Sequence, residues 1–217
     1  MIISIPVYDG VDLLDVTGPH EILGWMKDYL KDRGQTVEIR LVGATADARI
    51  VSRDGFRFLS THSFDDDIAP TVLWVPGGNP AQLAPMMNGS GDRRYMDYLV
   101  RVSPNAQWVC SVCEGALLLA AAGLLDGYQA TTHWNFIPCL KSFKRVNVVP
   151  GFPRFHQDRN RLTGGGISSC IDESLELVRL LTQDDDMVRA IQSTVQYYPE
   201  PPYPSDLEEP AKCMFSW

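Results

Sequence analysis

Cys110-Ser111-Val112-Cys113-Glu114-Gly115-Ala116, continuing as Leu117-Leu118-Leu119-Ala120-Ala121-Ala122-Gly123, is the stretch whose reading decides the fold. Ahead of it, Ala106-Gln107-Trp108-Val109-Cys110 is a short apolar run of strand type. Behind Ala116 the chain is apolar on every side, which fits a helix enclosed by other elements rather than one lying on a surface. A buried strand therefore passes abruptly into a buried helix, with Cys113 at the junction. Two rigid elements aim that side chain, and the helix dipole is positive there, conditions expected to lower a thiol pKa and make a nucleophile. Such a turn needs small residues two places to either side, and Ser111 and Gly115 provide them. The competing reading is a buried structural cysteine.

Outward from this junction the pattern repeats. Ile2 to Tyr8 reads as an opening strand; Glu21 to Leu30 carries a helical apolar stripe with Pro19 in its first turn, and Thr36 to Gly43 alternates as a strand. Asp54-Gly55 signals a hairpin. Thr71-Val72-Leu73-Trp74-Val75 is a second buried strand, ending in Pro76-Gly77-Gly78, and residues 80–103 read as helix with a break at 88–91. Strand-like segments at 128–132, 146–149 and 161–163 precede Gly164-Gly165-Gly166, which opens a helix over 167–182; a last helix is expected over 186–198. The alternation predicts an α/β sandwich with a mainly parallel sheet. Sites in such sheets lie beyond the carboxyl ends of strands, where Gly77-Gly78, Cys113 and His133 all fall.

With 217 residues the chain suits one large domain, taken as 1–198, followed by a Pro-rich tail over 199–217 read as an arm or a disordered segment. No apolar run approaches a membrane span, and the first residues lack signal-peptide character, so a cytoplasmic protein is expected. The net charge of −8, with no basic block, argues against a nucleic-acid partner. Five scattered cysteines do not resemble a disulfide framework, and reduced thiols are expected. Cys110 and Cys113 form a C-x-x-C pair, but along a strand their Cα atoms lie about 10 Å apart, beyond the roughly 4.4–6.8 Å of a disulfide. Without a second cysteine pair a zinc site is not expected.

The other candidates each have an ordinary reading. Gly77 and Gly78 are turn punctuation, or they bring backbone N–H groups toward a developing anion. The triple glycine lacks the Lys-Ser/Thr of a P-loop and reads as close strand-to-helix packing. His133, one of four histidines, is alone more often a core or surface imidazole, and Asp15 alone more often a cap.

Together these segments resemble the ThiJ/PfpI superfamily, relatives of the class I glutamine amidotransferases. The matching residues are Asp15-Val16-Thr17-Gly18-Pro19, Val75-Pro76-Gly77-Gly78, Ser111 to Ala116, Ala121 to Tyr128, Ala130-Thr131-Thr132-His133-Trp134 and Thr163 to Ile167. The Ala-Thr-Thr-His-Trp string with Leu-Leu-Asp-Gly points to the branch that holds isocyanide hydratases and the sensor domains of AraC-type regulators. The resemblance implies a flavodoxin-like three-layer sandwich, usually a homodimer and without a cofactor or metal. Cys113 would be the elbow nucleophile and Asp15 its acidic partner. Gly77 and Gly78 would be backbone donors, with His133 and Thr132 in support.

One position departs: isocyanide hydratases look to carry threonine after the nucleophile, where this chain has Glu114. If ionised, that carboxylate would raise the Cys113 pKa, or it could serve as a second acid. Cys170 and Glu173 are possible further departures. The implied reaction is hydration of an isocyanide to an N-substituted formamide through a Cys113 thioimidate. An acid (Asp15 or Glu114) would protonate the carbon and Asp15 would direct water. The alternatives are a glyoxalase- or deglycase-type enzyme acting on a small aldehyde, a peptidase, and a non-catalytic small-molecule or redox sensor.

Overall fold

The computed structural model describes residues 1–66, 69–201, 203 and 206–215. β1 (Ile2–Pro6), α1 (Leu13–Lys31) and β2 (Glu38–Gly43) form a parallel β-α-β unit. The Asp54-Gly55 turn joins β3 (Arg49–Val51) and β4 (Arg57–Leu59) into the expected antiparallel hairpin, and β5 (His62–Ser63) pairs with β2. After β6 (Val72–Val75) come α2 (Pro80–Asn88) and α3 (Arg94–Val102), separated at Gly89, whose φ of 74° closes the first helix. β7 (Trp108–Ser111) passes through the Cys113 turn into α4 (Gly115–Ala121). β8 (Gln129–Ala130), α5 (Ile137–Leu140) and β9 (Asn147–Val148) follow, then the hairpin of β10 (Phe155–Asp158) and β11 (Arg161–Gly164), and finally α6 (Ser169–Thr182) and α7 (Asp185–Thr194).

Seven strands make the central sheet in the order β10-β11-β7-β6-β1-β2-β5, parallel except at the β10 edge. β6 shows why both faces are covered. Val72 and Trp74 enter the core under α1, α6 and α7, whereas Leu73 and Val75 enter the core under α2 to α5. A strand apolar at every position can sit only between two helical layers. Burial of each such side chain contributes about 1.5–3 kcal/mol. This is the flavodoxin-like sandwich expected from the sequence. After β1 and β2 the chain crosses to the other side of β1 to add β6 and β7, which sets the loops following β1 and β6 side by side at the carboxyl ends of their strands, where Asp12 N–H donates to Gly77 O at 3.0 Å and Asn79 N–H to Gly10 O at 2.8 Å.

Several expectations need correction. Helix α1 begins at Leu13, so Asp15 lies within its first turn and Pro19 lies inside the helix. Proline lacks the N–H that would bond the Asp15 carbonyl. The Trp74 indole Nε1 donates to that carbonyl instead, at 3.0 Å, and the helix survives. The triple glycine ends β11 and helix α6 starts only at Ser169, while α7 stops at Thr194. The segment at 128–132 is strand only at Gln129–Ala130, and β10 was not anticipated. The expectation of five reduced thiols fails, because Cys139 and Cys213 are joined in a disulfide; Cys110, Cys113 and Cys170 are free. Residues 206–215 of the tail are accordingly fastened to the domain. Lys141 Nζ pairs with Glu209 at 2.5 Å, and the rings of Phe136 and Phe215 stand 5.9 Å apart. Residues 202, 204, 205, 216 and 217, on which the rest of the tail reading falls, lie outside the described residues. Among the described residues no helix is long and apolar enough to cross a membrane.

Candidate functional site

Loops at the carboxyl ends of β1, β6, β7, β8 and β11 build the site. Cys113 is held with φ at 55°, the left-handed region that side chains avoid, at a cost of about 1–3 kcal/mol. Its surroundings impose the conformation. Its N–H donates to Gly165 O at 2.9 Å, its carbonyl accepts from Thr132 Oγ1 at 2.7 Å, and the neighbouring Val112 N–H donates to Val75 O at 3.1 Å. A Cβ on Gly115 would overlap the Val75 carbonyl oxygen, so only glycine allows the turn to fold back onto β6. These contacts leave Cys113 just 1% exposed.

Around the thiol the structure gathers carboxyl groups. Ligand atoms of Asp12, Asp15 and Cys113 all lie within 4.8 Å of one another. The Gly77 N–H donates to Asp15 Oδ2 at 2.8 Å, whereas Asp15 Oδ1 is buried without a partner. Gly78 N–H donates to Glu114 Oε2 at 3.3 Å. Both glycine N–H groups therefore hold carboxyls in place. Side chains at these positions are excluded, since a Cβ on Gly77 would strike Glu114 and one on Gly78 would strike Gly10 O and Tyr8 OH. Asp12 is ion-paired with Arg53, which arrives from the segment between β3 and β4.

These neighbours reverse one expectation. Burial pushes the Cys113 thiol well above its ordinary pKa, and the negative charges of Asp15 and Glu114, a hydrogen bond with Glu114, and Asp12 push the same way. The positive end of a short helix does not offset a dehydrated site with three acids. The thiol is accordingly protonated at rest. Asp15 is also raised well above the usual carboxylate range, by burial and by Asp12, with the Gly77 N–H acting against them. Glu114 is raised to about 7, by burial first, with its hydrogen bonds to Cys113 and the backbone acting against it.

The sequence candidates thus come together unequally. Cys113, Asp15, Glu114, Gly77 and Gly78 form one cluster, and Thr132 fixes its backbone. His133 is adjacent but differently engaged: its Nδ1 accepts from Asn135 N–H at 3.1 Å, capping a short turn, and burial lowers its pKa so that the ring is neutral. Asp12 and Arg53 were missed. Asp12 had a faint signal, an acid in the loop after the first strand; Arg53 had none, because a hairpin distant in sequence delivers it. Two carboxylates and a thiol at this spacing could hold a divalent cation, although Arg53 already engages Asp12. Beside the turn, a cleft of about 420 Å³ is walled by Leu14, Thr132, His133, Trp134, Phe152 and Ile167, with Gly165 and Gly166 at its base and Leu207 from the C-terminal segment.

Comparison with known proteins places this geometry in a wider set. The DJ-1/PfpI family matches residues 1–180. The chain is 34% identical to an isonitrile hydratase of Pseudomonas putida over 199 residues, covering 92% of this chain and 79% of that one. It is 33% identical over 131 residues to the HTH-type transcriptional regulator GbdR of Pseudomonas aeruginosa, covering 60% of this chain but 34% of the regulator. Among solved structures, a ThiJ/PfpI family protein from Pseudomonas syringae superposes with a TM-score of 0.79 at 30% identity, covering 93% of this chain and 77% of that one.

Proposed function

We propose a function from one premise: the chain belongs to the DJ-1/PfpI family. The reading is a cofactor-free hydratase that converts an isocyanide into an N-substituted formamide, with Cys113 as nucleophile. The observation that carries it is the enclosed thiol, within 4.8 Å of the Asp12 and Asp15 carboxyls and next in the turn to Glu114, whose carboxyl the Gly78 N–H holds. An isocyanide needs a nucleophile at its terminal carbon, a proton on that same carbon, and then water. A protonated thiol flanked by two carboxyls of raised pKa supplies all the proton positions.

The steps balance as follows. Ionised Glu114 takes the thiol proton as the sulfur–carbon bond forms, and protonated Asp15 gives its proton to the carbon, leaving a thioimidate. Asp15, now ionised, takes a proton from water as it adds to that carbon, while Glu114 protonates the nitrogen. Collapse breaks the carbon–sulfur bond, the hydroxyl proton returns to sulfur through Glu114, and the formamide leaves. The roles follow the two environments: Asp15, the more strongly dehydrated, starts protonated, and Glu114, near 7, starts ionised.

Formamide release from a panel of alkyl and aryl isocyanides tests the reading. Wild type should turn over at least one of them and Cys113→Ala none. Absence of formamide with Cys113 intact by mass would remove the hydratase assignment, and lactate from methylglyoxal would redirect it to an aldehyde. Family membership also supports a homodimer, which light scattering on the purified protein measures.

A further inference from the structure

The cleft beside Cys113 has one wall that does not come from the α/β domain. Leu14, Trp134, Phe152 and Ile167 line it from the sheet loops and helices, and Leu207 closes it from the C-terminal segment. Among the described residues, that segment is fastened to the helical stretch just after His133 by the Cys139–Cys213 disulfide, the Lys141–Glu209 ion pair and the Phe136–Phe215 ring contact. Cys139 is fully buried, whereas Cys213 is partly exposed and within reach of a reductant. Thr132 and Gly165, which bind the Cys113 backbone, also line the cleft, so the cleft and the turn share these two residues.

We propose that Leu207 is a specificity-determining residue for the substituent carried by the substrate, presented by a C-terminal strap that the Cys139–Cys213 bond fastens over the cleft. The substituent is apolar and preferably aromatic, because Leu14, Trp134, Phe152 and Ile167 make most of the wall that Leu207 completes, and Arg154, the cation of the lining, is already paired with Asp172 and Ser168. Calling the reacting group an isocyanide rests on the hydratase reading; the role of the strap does not. A dithiol unfastens the strap by exchange, its two thiols becoming a disulfide as Cys139 and Cys213 become thiols. Preference for bulky apolar substrates is then coupled to the redox state of a bond outside the reacting centre.

The experiment uses the full chain equilibrated with oxidised glutathione. Peptide mass without reductant should show the Cys139 and Cys213 peptides cross-linked; their absence overturns the proposal. Cys113 alkylation is then timed by mass with iodoacetamide and with N-phenyl iodoacetamide. The ratio of phenyl to small-reagent rates should fall about tenfold in Leu207→Ala, the scale of one lost apolar pocket contact. It should fall in the same direction in Cys213→Ser and in wild type reduced with a dithiol and desalted. Leu207 is 44% exposed, so Leu207→Ala leaves the fold intact, which circular dichroism verifies. An unchanged or increased ratio in Leu207→Ala or Cys213→Ser overturns the assignment. Failure of every isocyanide to react would remove the hydratase reading and leave the alkylation result standing.

Discussion

Glu114 and Glu173 are both buried acids beside the same strand-to-helix turn, and they differ in what faces them. Glu114 sits at the start of α4, accepts from Gly78 N–H at 3.3 Å, and is raised by burial to about 7, with the Cys113 thiol and the backbone N–H groups acting against the rise. Glu173, on α6, is fully buried, neither carboxyl oxygen accepts a well-formed hydrogen bond, and burial followed by the charge of Asp15 pushes it well above the carboxylate range, with only the nearby Ser111 backbone N–H acting against them. Donors, more than depth, decide whether a buried carboxyl can change charge near neutral pH. Glu114 can act as an acid or base, whereas Glu173 is a neutral filler packed against Gly164.

The comparison can be broken at several points, in decreasing order of effect. Cys113→Ala should lower formamide production by about a thousandfold or more, the usual cost of losing a nucleophile. Gly115→Ala forces a Cβ onto the Val75 carbonyl and should cost about 3 kcal/mol in urea unfolding, with loss of Cys113 reactivity to match. Glu114→Thr removes a charge and a hydrogen-bond acceptor from beside the thiol, so the pH midpoint of Cys113 alkylation should fall; an unchanged midpoint would mean that Glu114 does not govern the thiol. The same group makes a signed prediction for stability. Its pKa rises from 4.5 to about 7 on folding, so the folded state holds the proton more tightly and stability falls as pH climbs through that window. In Glu114→Gln this part of the decline should disappear from the pH dependence of unfolding. The smallest effect belongs to Glu173→Gln, a neutral near-isostere, which should change stability by less than about 1 kcal/mol and leave the alkylation midpoint in place. If it moved that midpoint as far as Glu114→Thr, the distinction drawn between the two acids would collapse.

What could be read from the residues follows from how local each cause is. The Cys113 turn was legible because three local signals agree there: an apolar strand, small residues at Ser111 and Gly115, and an apolar helix. Gly77 and Gly78 were legible as a site of close approach, but their partners were not. The N–H groups expected to face an anion in the substrate instead hold Asp15 and Glu114. The expected lowering of the thiol pKa came from the helix end, and burial outweighs it, together with Glu114 in the same turn and Asp12 and Asp15 brought in after β1. Arg53 and the Cys139–Cys213 bond depend on residues 41 and 74 positions apart meeting in space, which no local pattern encodes. The start of α1 was misplaced for a different reason. Pro19 normally marks a first turn, and here an indole from the sheet makes good the hydrogen bond that proline cannot donate.

That substitution of an indole for a backbone amide has a mechanical consequence. At Pro19 the internal ladder of α1 loses the bond to Asp15, and the first turn is anchored to β6 through Trp74 and Gly77. Asp15 is thus fastened to the sheet side of the site, although it is written into a helix.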